Sequence, residues 1–502
     1  MSNQGEKKGV SAIDFFCIGF GAIVGVGWAV SINNWMSGSG GPIPAGLGYI
    51  AALIMMVPIA LCYCELVPAL PVAGGGMAFR AFNDKVAVIS GWAAFGGFVS
   101  IIPWEAIQIT DVLGYLIPGL TDGEPLYYVA GTGIHLTTII IGVICSFLLF
   151  ALNMRGLAAA AGVQKILCFI LVGSAVVGAV ASLLHGSPEH WQPLYDTSNP
   201  MIYGDPSQGY VEATNSSMFG GILAIMSSAP FFLAGFETIP QGVEEAGGDI
   251  KSVGKTVVLS VTLACVFYAF LLFSFGFAWD WQEFAQPTAV GGIMTNPAAA
   301  TMLRLSYGGA AGEFFYWLIT IGAIAGLFTT WNGFFMSSAM LLMGMSRGLL
   351  MPKIFAKQNK NGIPVPGLIV CLGLSLIGPF LGAGLIGDIT SFSGAAFVLS
   401  WGLTSYSLAF LRKKEPNLER PYKVPGGAAM GWFAGIVSTV VFILLFIPAS
   451  PMYMKSTACI MFVGWMIIGL ILYLAASGQR RGKSQTELKE GVFHGMEERK
   501  QA

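Results

Sequence analysis

The chain has 502 residues, of which 55% are hydrophobic and only 10% are charged, and its mean hydropathy is +0.71. Soluble domains carry about 25% charged residues, so this composition excludes an ordinary multidomain soluble protein and indicates a protein of the lipid bilayer. The 25 basic and 26 acidic residues give a net charge of −1, which offers no electrostatic attraction for nucleic acid.

The cysteines and histidines do not form a recognisable site. All eight cysteines lie in apolar stretches, where a thiol behaves as a small hydrophobic group. Cys62 and Cys64 lack a second Cys or His pair, so a zinc site is not predicted. The four histidines are scattered over span ends, loops and the C-terminal segment. We therefore expect no metal, no cofactor and no enzymatic activity.

Twelve segments are long and apolar enough to cross a membrane, which needs about 20 mostly apolar residues. They leave no room for a soluble domain, so the predicted fold class is all-α integral membrane. The segments are 12–37, 45–70, 86–118, 133–152, 156–184, 216–244, 253–279, 312–345, 366–384, 387–411, 428–449 and 456–477.

The two ends of the chain differ from these spans. The apolar run after Lys7 and Lys8 is too long for a signal peptide and lacks a small-residue cleavage site, so the first span is predicted to be retained. The segment from Gly478 onward is polar and charged, and it is predicted to be disordered.

The basic residues predict the orientation of the chain. When the N-terminus is placed in the cytoplasm, 23 Lys and Arg residues fall on or near that side, and only Arg304 and Lys455 fall elsewhere. This asymmetry favours an even number of spans with both termini cytoplasmic. The loop 185–215 has no Lys or Arg and suits an external position. The predicted location is the plasma membrane.

Glycine and proline interrupt two of the predicted spans. The first span contains four glycines in the run GFGAIVGVGW, and the sixth contains Pro230, Gly235 and Pro240. Backbone groups freed at membrane depth must line a cavity or be buried in protein. Interruptions five spans apart are typical of a transporter with two inverted repeats and a binding site at the midplane. The alternative is that the glycines only allow close helix packing.

Six motifs in chain order resemble those of the amino acid-polyamine-organocation transporter superfamily. They lie at 19–27, 64–75, 153–164, 235–245, 346–365 and 411–426. The resemblance implies a leucine-transporter-like fold, in which a 5+5 inverted repeat with discontinuous helices 1 and 6 is followed by two further helices, giving 12 transmembrane helices. The implied divisions are a cytoplasmic N-terminus (1–11), the first repeat (12–184), an extracellular loop (185–215), the second repeat (216–411), a loop with helices 11 and 12 (412–477), and a cytoplasmic tail (478–502).

The two interruptions supply most of the predicted substrate-binding residues. The N-terminus of a half-helix presents unpaired amides, so Gly25 to Gly27 is a candidate site for a substrate carboxylate. The superfamily often has Ser or Thr between these glycines, and Val26 lacks that hydroxyl. Carbonyl groups freed at Gly19, Ala234 and neighbouring positions are candidates to bind an ammonium group. The predicted set is Ala22, Ile23, Gly25, Val26, Gly27, Trp104, Glu105, Phe231, Ala234, Gly235 and Phe334.

Glu105 lies within an apolar span, where a charge costs about 2.5–3.5 kcal/mol and therefore usually serves a function. A cationic substrate would offset that cost. The resemblance places Glu105 where related arginine/agmatine antiporters have a substrate-contacting Asn. The alternative is a protonated carboxyl group bonded to a neighbouring helix.

Other charged residues have different predicted roles. The resemblance implies proton sensing or amine binding at Glu237, which we predict to act in coupling or gating together with Phe231, the counterpart of an occluding tryptophan. The alternative for Glu237 is to cap the amides around Gly235. Four charged residues near the cytoplasmic ends are predicted to form gate salt bridges or helix-end charges, and Asp111 is predicted near the external end of its span. The four are Glu65, Arg347, Glu244 and Glu245.

The chain is thus predicted to be a secondary transporter of an amino acid or a small organic amine that works by alternating access. Several relatives carry a coupling Lys where this chain has Leu171, and no oxygen cluster for sodium is evident, so exchange or proton coupling is expected. The alternatives are an amine-specific permease for putrescine, agmatine or ethanolamine, and a membrane sensor that does not transport. The expected partners are the substrate, the bilayer and, as candidates, protons, while the oligomeric state stays open.

Overall fold

The computed structural model describes residues 12–72, 76–117, 119–120, 122–205, 210–213, 215–241, 250–286 and 297–493. Within these ranges the chain is helical apart from its loops and one short hairpin. This agrees with the predicted all-α class. A bilayer favours such a structure because hydrocarbon offers no water, so each backbone N–H and C=O group must find a partner inside the protein.

Eight helices and the hairpin form the first part of the chain. The helices are α1 (Ala12–Val24), α2 (Gly27–Val30), α3 (Ile32–Ser39), α4 (Pro42–Ala69), α5 (Gly76–Ala81), α6 (Asp84–Leu116), α7 (Leu136–Asn153) and α8 (Leu157–His185). Between α6 and α7, strands β1 (Tyr127–Val129) and β2 (Thr132–Ile134) pair antiparallel, with Tyr127 opposite Ile134.

Twelve further α-helices follow in the described part of the chain. They are α9 (Met218–Phe232), α10 (Thr238–Gln241), α11 (Ile250–Ala278), α12 (Trp281–Ala285), α13 (Ala298–Tyr307), α14 (Gly309–Arg347), α15 (Val365–Leu381), α16 (Ile386–Lys414), α17 (Ala428–Leu444), α18 (Ser456–Ala475), α19 (Ser477–Arg480) and α20 (Gln485–Phe493). Short 3₁₀-helices cover Pro188–Trp191, Lys353–Ala356 and Ala383–Leu385.

The apolar helices coincide with the predicted spans. Among the described residues, nine helical segments have the length and composition to cross a membrane: α1 with α2, α4, α6, α7, α8, α11, α14, α16 and α18. Three shorter apolar helices, α9, α15 and α17, lie where the sixth, ninth and eleventh spans are predicted. The chain is therefore a multi-pass membrane protein, while the count of twelve crossings and the inverted repeat stay predictions.

Helix α1 lies inside the bundle, where it packs against α8, α11 and α14. Its residues Phe15, Cys17 and Phe20 are at most 2% exposed. A helix that is hydrophobic on all sides is expected to be buried in this way. The helices α7, α8, α17 and α18 instead expose many Ile, Leu, Val and Phe side chains, which suits contact with lipid tails.

Two tryptophans attach α18 to α6. The rings of Trp92 and Trp465 stack with their centroids 4.6 Å apart, and each indole N–H donates to the other residue's carbonyl oxygen, at 2.7 and 3.1 Å. A Cβ atom at Gly96 or Gly469 would collide with one of these rings. The two glycines therefore allow this paired contact.

The segment after α18 differs from its prediction. Disorder is predicted from Gly478 onward, and this prediction is wrong for the described residues, which form part of α19 and then α20. In α20, Leu488 and Val492 are each 3% exposed. Their spacing of four places them on one face of the helix, and burial of that face accounts for the order of a mostly charged segment.

Candidate functional site

The first span is interrupted at Gly25 and Val26. Helix α1 ends at Val24 and α2 begins at Gly27. The φ angle of Gly25 is +44°, a left-handed conformation that glycine adopts without steric cost, and a Cβ atom there would collide with Oγ1 of Thr330 on α14. The predicted interruption is confirmed. Gly19 lies inside α1, however, so the prediction that its carbonyl group is freed is wrong.

The sixth span is interrupted between Phe232, where α9 ends, and Thr238, where α10 begins. The φ angle of Gly235 is +138°, and a Cβ atom at this position would lie 2.6 Å from the backbone nitrogen of Ile23. Ala234 beside it is 1% exposed. The two interruptions are therefore in direct contact inside the bundle.

Side chains from two other helices satisfy carbonyl groups at the end of α1. The last four carbonyl groups of an α-helix have no partner within that helix. The Tyr268 hydroxyl group on α11 lies 2.8 Å from the carbonyl oxygen of Ile23 and 2.9 Å from that of Val24. The Thr329 hydroxyl group on α14 donates to the carbonyl oxygen of Gly21 at 2.9 Å. An incoming ammonium group thus meets carbonyl groups that already have donors.

A small cavity, which we call the central cavity, lies at the interruption of the first span. Its volume is about 20 Å³, which leaves room for about one water molecule and none for an amino acid in this conformation. Eight predicted substrate-binding residues line it: Ala22, Ile23, Gly25, Val26, Gly27, Trp104, Glu105 and Phe231. The other lining residues are Val24, Ile101, Phe232, Tyr268 and Thr330.

Glu105 reaches this central cavity from α6 and is 2% exposed. Its Oε2 atom has no hydrogen-bond partner among the described residues. An unpaired buried oxygen is costly, and ionisable groups at membrane depth usually serve a function for that reason. The alternative of a carboxyl group bonded to a neighbouring helix finds no support at this oxygen, whereas a positively charged ligand group would satisfy it.

Aromatic rings fill one side of the central cavity. The ring centroid of Trp104 lies 5.2 Å from that of Phe231 and 6.2 Å from that of Phe232. The Trp104 indole N–H donates to the Thr390 hydroxyl group at 3.2 Å, which ties α6 to α16. Each ring face could attract a bound cation by about 0.5–2 kcal/mol. The three rings are therefore packed against one another beside the cavity.

The remaining predicted substrate-binding residues do not line the central cavity. Ala234 and Gly235 lie next to it, behind the backbone of the first span. Phe334 is buried on α14, where its ring centroid lies 5.3 Å from that of Phe98 and 6.3 Å from that of Phe397. The structure therefore brings the two interruptions and α6 together but places Phe334 in a neighbouring aromatic layer.

Glu237 joins the interrupted sixth span to α16. Its Oε2 atom accepts a hydrogen bond from the Gly235 backbone N–H at 2.7 Å, and its Oε1 atom accepts one from the Trp401 indole N–H at 2.5 Å. The carboxylate thus caps the Gly235 amide, as the alternative prediction for Glu237 has it. Glu237 also lines a second cavity of about 30 Å³, together with Tyr63, Met77 and other residues. This inner cavity lies toward the end of the bundle that bears most of the Lys and Arg residues, which we call the basic end.

A chain of buried amide groups connects three helices to the first span. The Asn153 side-chain amide on α7 donates to Asn332 Oδ1 at 3.1 Å, and the Asn332 amide donates to Gln164 Oε1 on α8 at 3.0 Å. The Gln164 amide then donates to the carbonyl oxygen of Thr329 at 2.9 Å. Since the Thr329 hydroxyl group contacts Gly21, the amide chain continues to the end of α1.

Glu65 forms an ion cluster at the basic end. The carboxylate is fully buried and lies 2.5 Å from an Arg412 nitrogen and 3.1 Å from an Arg420 nitrogen, and it accepts the Val424 backbone N–H at 2.8 Å. Burial lowers the pKa of the Arg420 guanidinium, and the charge of Glu65 opposes that shift. Arg347 ends α14. Glu244, Glu245 and the Asp111 side chain lie outside the described residues.

The match to known proteins covers nearly the whole chain. A family model described as amino acid permease matches residues 10–472. The chain belongs to the amino acid permease family. The expected membership of the amino acid-polyamine-organocation superfamily is thereby confirmed, and this permease is a membrane transport protein rather than an enzyme.

Three relatives show the range of the family. The permease is 21% identical to the branched-chain amino acid permease BcaP of Bacillus subtilis, over 94% of this chain and 93% of that protein. It is 23% identical to the aspartate-proton symporter of the same organism, over 86% and 78%. It is also 23% identical to the human Asc-type amino acid transporter 1, over 83% and 74%.

Sequence patterns alone do not identify three hydroxyl-bearing residues that lie at the first interruption of the permease. Tyr268, Thr329 and Thr330 each lie in a long apolar helix and contact or face the end of α1. The sequence signal for such residues is that a polar group inside a span needs a hydrogen-bond partner. Many other Ser and Thr residues share it, so the spatial arrangement is needed to select these three.

Proposed function

We propose that this permease is a secondary active transporter that moves an amino acid or a small organic amine across the plasma membrane by alternating access. The observation that carries the proposal is the unpartnered, buried Oε2 atom of Glu105 in the cavity at the interrupted first span. A positively charged substrate group would pair with this oxygen and offset the cost of burying it.

The other end of the substrate is expected near Gly27. The first amides of a helix lack partners within it and attract anions. Helix α2 has only four residues before Ser31 separates it from α3, so its dipole is weaker than that of a continuous half-helix. Val26 adds no hydroxyl donor. We therefore assign more of the recognition to the cationic group at Glu105 than to a carboxylate at α2.

Alternating access accounts for the small size of the central cavity. Separation of Trp104 from Phe231 would open the cavity on one side, and movement of the segment around Glu237 would open it toward the inner cavity. The basic end is assigned to the cytoplasm from the distribution of Lys and Arg, so both termini lie inside.

The relatives support an amino acid as substrate, since the three named above are amino acid transporters by name. One of them is a proton symporter by name, which makes proton coupling a natural candidate here. Among the described residues, Glu105 beside the first interruption and Glu237 at the second are buried carboxyl groups available to carry the proton. Exchange of one substrate for another is the other mode.

A second candidate is a permease for amines without a carboxylate, such as putrescine, agmatine or ethanolamine. The short helix α2 and the missing hydroxyl at Val26 favour it, because both weaken the expected carboxylate site. A sensor that binds the same ligand without moving it is the third possibility.

Counterflow in proteoliposomes tests these candidates. Labelled leucine, alanine, aspartate, lysine, putrescine, agmatine and ethanolamine would each be offered with and without a pH gradient. Uptake of an amino acid supports the first candidate, and uptake of amines alone supports the second. Binding without uptake of any compound would support a sensor and contradict transport.

The Glu105→Gln variant tests the role of the carboxylate. It keeps the size of the side chain and removes the charge, so we expect substrate affinity to fall by about tenfold or more, the effect of losing about 1.4 kcal/mol. Ser100→Ala is the matched control on α6, because the Ser100 hydroxyl group donates to the carbonyl oxygen of Gly97 in the same helix. Unchanged affinity in Glu105→Gln would remove Glu105 from the site.

A further inference from the structure

Helix α20 docks on two segments at the basic end of the bundle, α5 and the C-terminal end of α14. Leu488 and Val492 are each 3% exposed, and Phe493 is 9% exposed. A helix of nine residues is marginal in water by itself. The order of α20 therefore depends on the surface against which it packs.

Glycines make the contact between α20 and this surface unusually close. The Cγ2 atom of Val492 lies 2.5 Å from the position that a Cβ atom on Gly348 would take, and its Cγ1 atom lies 3.2 Å from that position on Gly76. A Cβ atom at Gly491 would lie 2.6 Å from the carbonyl oxygen of Arg347. A side chain at Gly491 would thus lift α20 off the end of α14.

Polar contacts join α20 to the end of α5. The Lys489 Nζ atom lies 3.4 Å from the carbonyl oxygens of Arg80 and Phe82, where α5 ends and its carbonyl groups lack helical partners. The Arg80 guanidinium lies 5.4 Å from the Phe493 ring centroid. Burial, with the nearby Lys414 and Arg80, lowers the pKa of the Lys489 ammonium group. Glu415, which forms an ion pair with Arg80 at 2.8 Å, opposes this shift.

The α5 helix is also a wall of the inner cavity. Its residues Gly76 and Met77 line that cavity together with Glu237. Helix α20 contacts both α5 and α14, so it bridges a wall of the inner cavity to the rest of the bundle. We propose that α20 is a latch: when docked it holds the cytoplasmic exit of the transport path closed, and its release allows the inner cavity to open. The proposal rests on the proposed transport function for the path it controls.

A reversible cross-link tests the latch in the full-length protein. The double substitution Gly348→Cys with Val492→Cys places two thiols across the contact. After oxidation, we expect counterflow to fall several-fold and dithiothreitol to restore it, which separates locking from misfolding. The two single variants under the same treatment control for the native cysteines. If the oxidised pair, verified by mass spectrometry, transports as fast as the reduced protein, the latch is overturned.

A release variant tests the same idea without a transport assay. Gly491→Leu is expected to lift α20, whereas Gly478→Leu, in the same segment, places its side chain in open space. Each is combined with Ser400→Cys in the inner cavity, and a membrane-impermeant maleimide is added from the cytoplasmic side. We expect several-fold faster labelling of residue 400, read by mass spectrometry, in Gly491→Leu only. Equal labelling in both proteins overturns the latch. Absence of transport in every protein of the cross-linking experiment counts against the transport function alone, because the labelling of residue 400 does not depend on transport.

Discussion

The Tyr268 hydroxyl group lies 2.8 Å from the carbonyl oxygen of Ile23 and shares its proton with the next carbonyl group along the chain. A side chain of α11 thus provides a donor for two carbonyl groups at the C-terminal end of α1, which lack helical partners. Tyr268 is fully buried, so bulk water has no access to take over these contacts. The shape of the interrupted first span therefore depends on a neighbouring helix.

Tyr268→Phe removes this donor and is expected to slow transport by about tenfold or more. Each buried carbonyl group left without a donor costs about 1–3 kcal/mol, and about 1.4 kcal/mol changes a rate tenfold. Initial rates of counterflow measure the effect. Tyr49→Phe is the matched control, since the Tyr49 hydroxyl group has no partner among the described residues and its ring lies 4.9 Å from that of Tyr268. An equal loss in both variants would contradict a specific role for the Tyr268 hydroxyl group.

Glu237→Gln is expected to lower the melting temperature of the detergent-solubilised permease. The carboxylate accepts hydrogen bonds from Gly235 and Trp401, and an amide can accept only one of them while its NH₂ group faces the other donor. The lost contact corresponds to about 1–3 kcal/mol. Trp401→Phe removes one bond and leaves the Gly235 cap in place. A melting temperature that stays unchanged in Glu237→Gln would show that the cap does not stabilise the interruption.

The same Glu237→Gln variant separates capping from proton coupling. We expect its uptake to lose its dependence on external pH, because an amide cannot carry the coupled proton. The measurement is the initial uptake rate over a series of external pH values, beside that of the unmodified protein. A preserved dependence would assign Glu237 to capping alone and leave Glu105 as the buried carboxyl group for proton transfer.

Asn332→Leu is expected to destabilise the permease by about 1–3 kcal/mol for each polar group that it leaves unsatisfied. Asn332 both accepts from Asn153 and donates to Gln164, so its loss opens the buried amide chain in two places. Thermal unfolding in detergent measures this change. Met340→Leu, further along α14, is a nearly volume-conserving control that should cost less than about 1.5 kcal/mol. Similar unfolding temperatures for the two variants would show that the amide chain adds little.

Glu65→Gln is expected to reduce sharply the yield of folded protein. Two guanidinium groups, of Arg412 and Arg420, would lose their buried counter-charge, and breaking such a cluster costs about 3–5 kcal/mol. Size-exclusion chromatography measures the yield of monodisperse protein. Glu313→Gln is the control, because the side chains of Glu313 and its partner Arg304 are 47% and 49% exposed, and such pairs contribute about 0–1 kcal/mol. A normal yield from Glu65→Gln would contradict this prediction.

Hydropathy predicts the positions of the spans well because the bilayer imposes the length of an apolar helix. It is harder to predict from sequence which glycine interrupts the first span. Gly19 and Gly25 have the same intrinsic freedom, and contacts with α14 and α11 decide that the chain breaks at Gly25. Phe334 shows the same limit, since composition does not reveal which buried ring faces the cavity.

The order of α20 is not predictable from its own residues. Its buried face consists of Leu488, Val492 and Phe493 within a charged segment, which by composition alone suits disorder. Helix formation there depends on the complementary surface of α5 and α14, including Gly76 and Gly348, more than 100 residues away in the chain. The residue pattern of α20 therefore does not reveal the surface against which this helix packs.

The small central cavity has a consequence for the membrane that holds the permease. A space of about 20 Å³, next to a layer of packed aromatic rings, cannot hold the hydrated path that an ion needs to cross. In this conformation the permease therefore insulates the membrane. Copies in this conformation can therefore remain in the bilayer without an open route for ions through the central cavity.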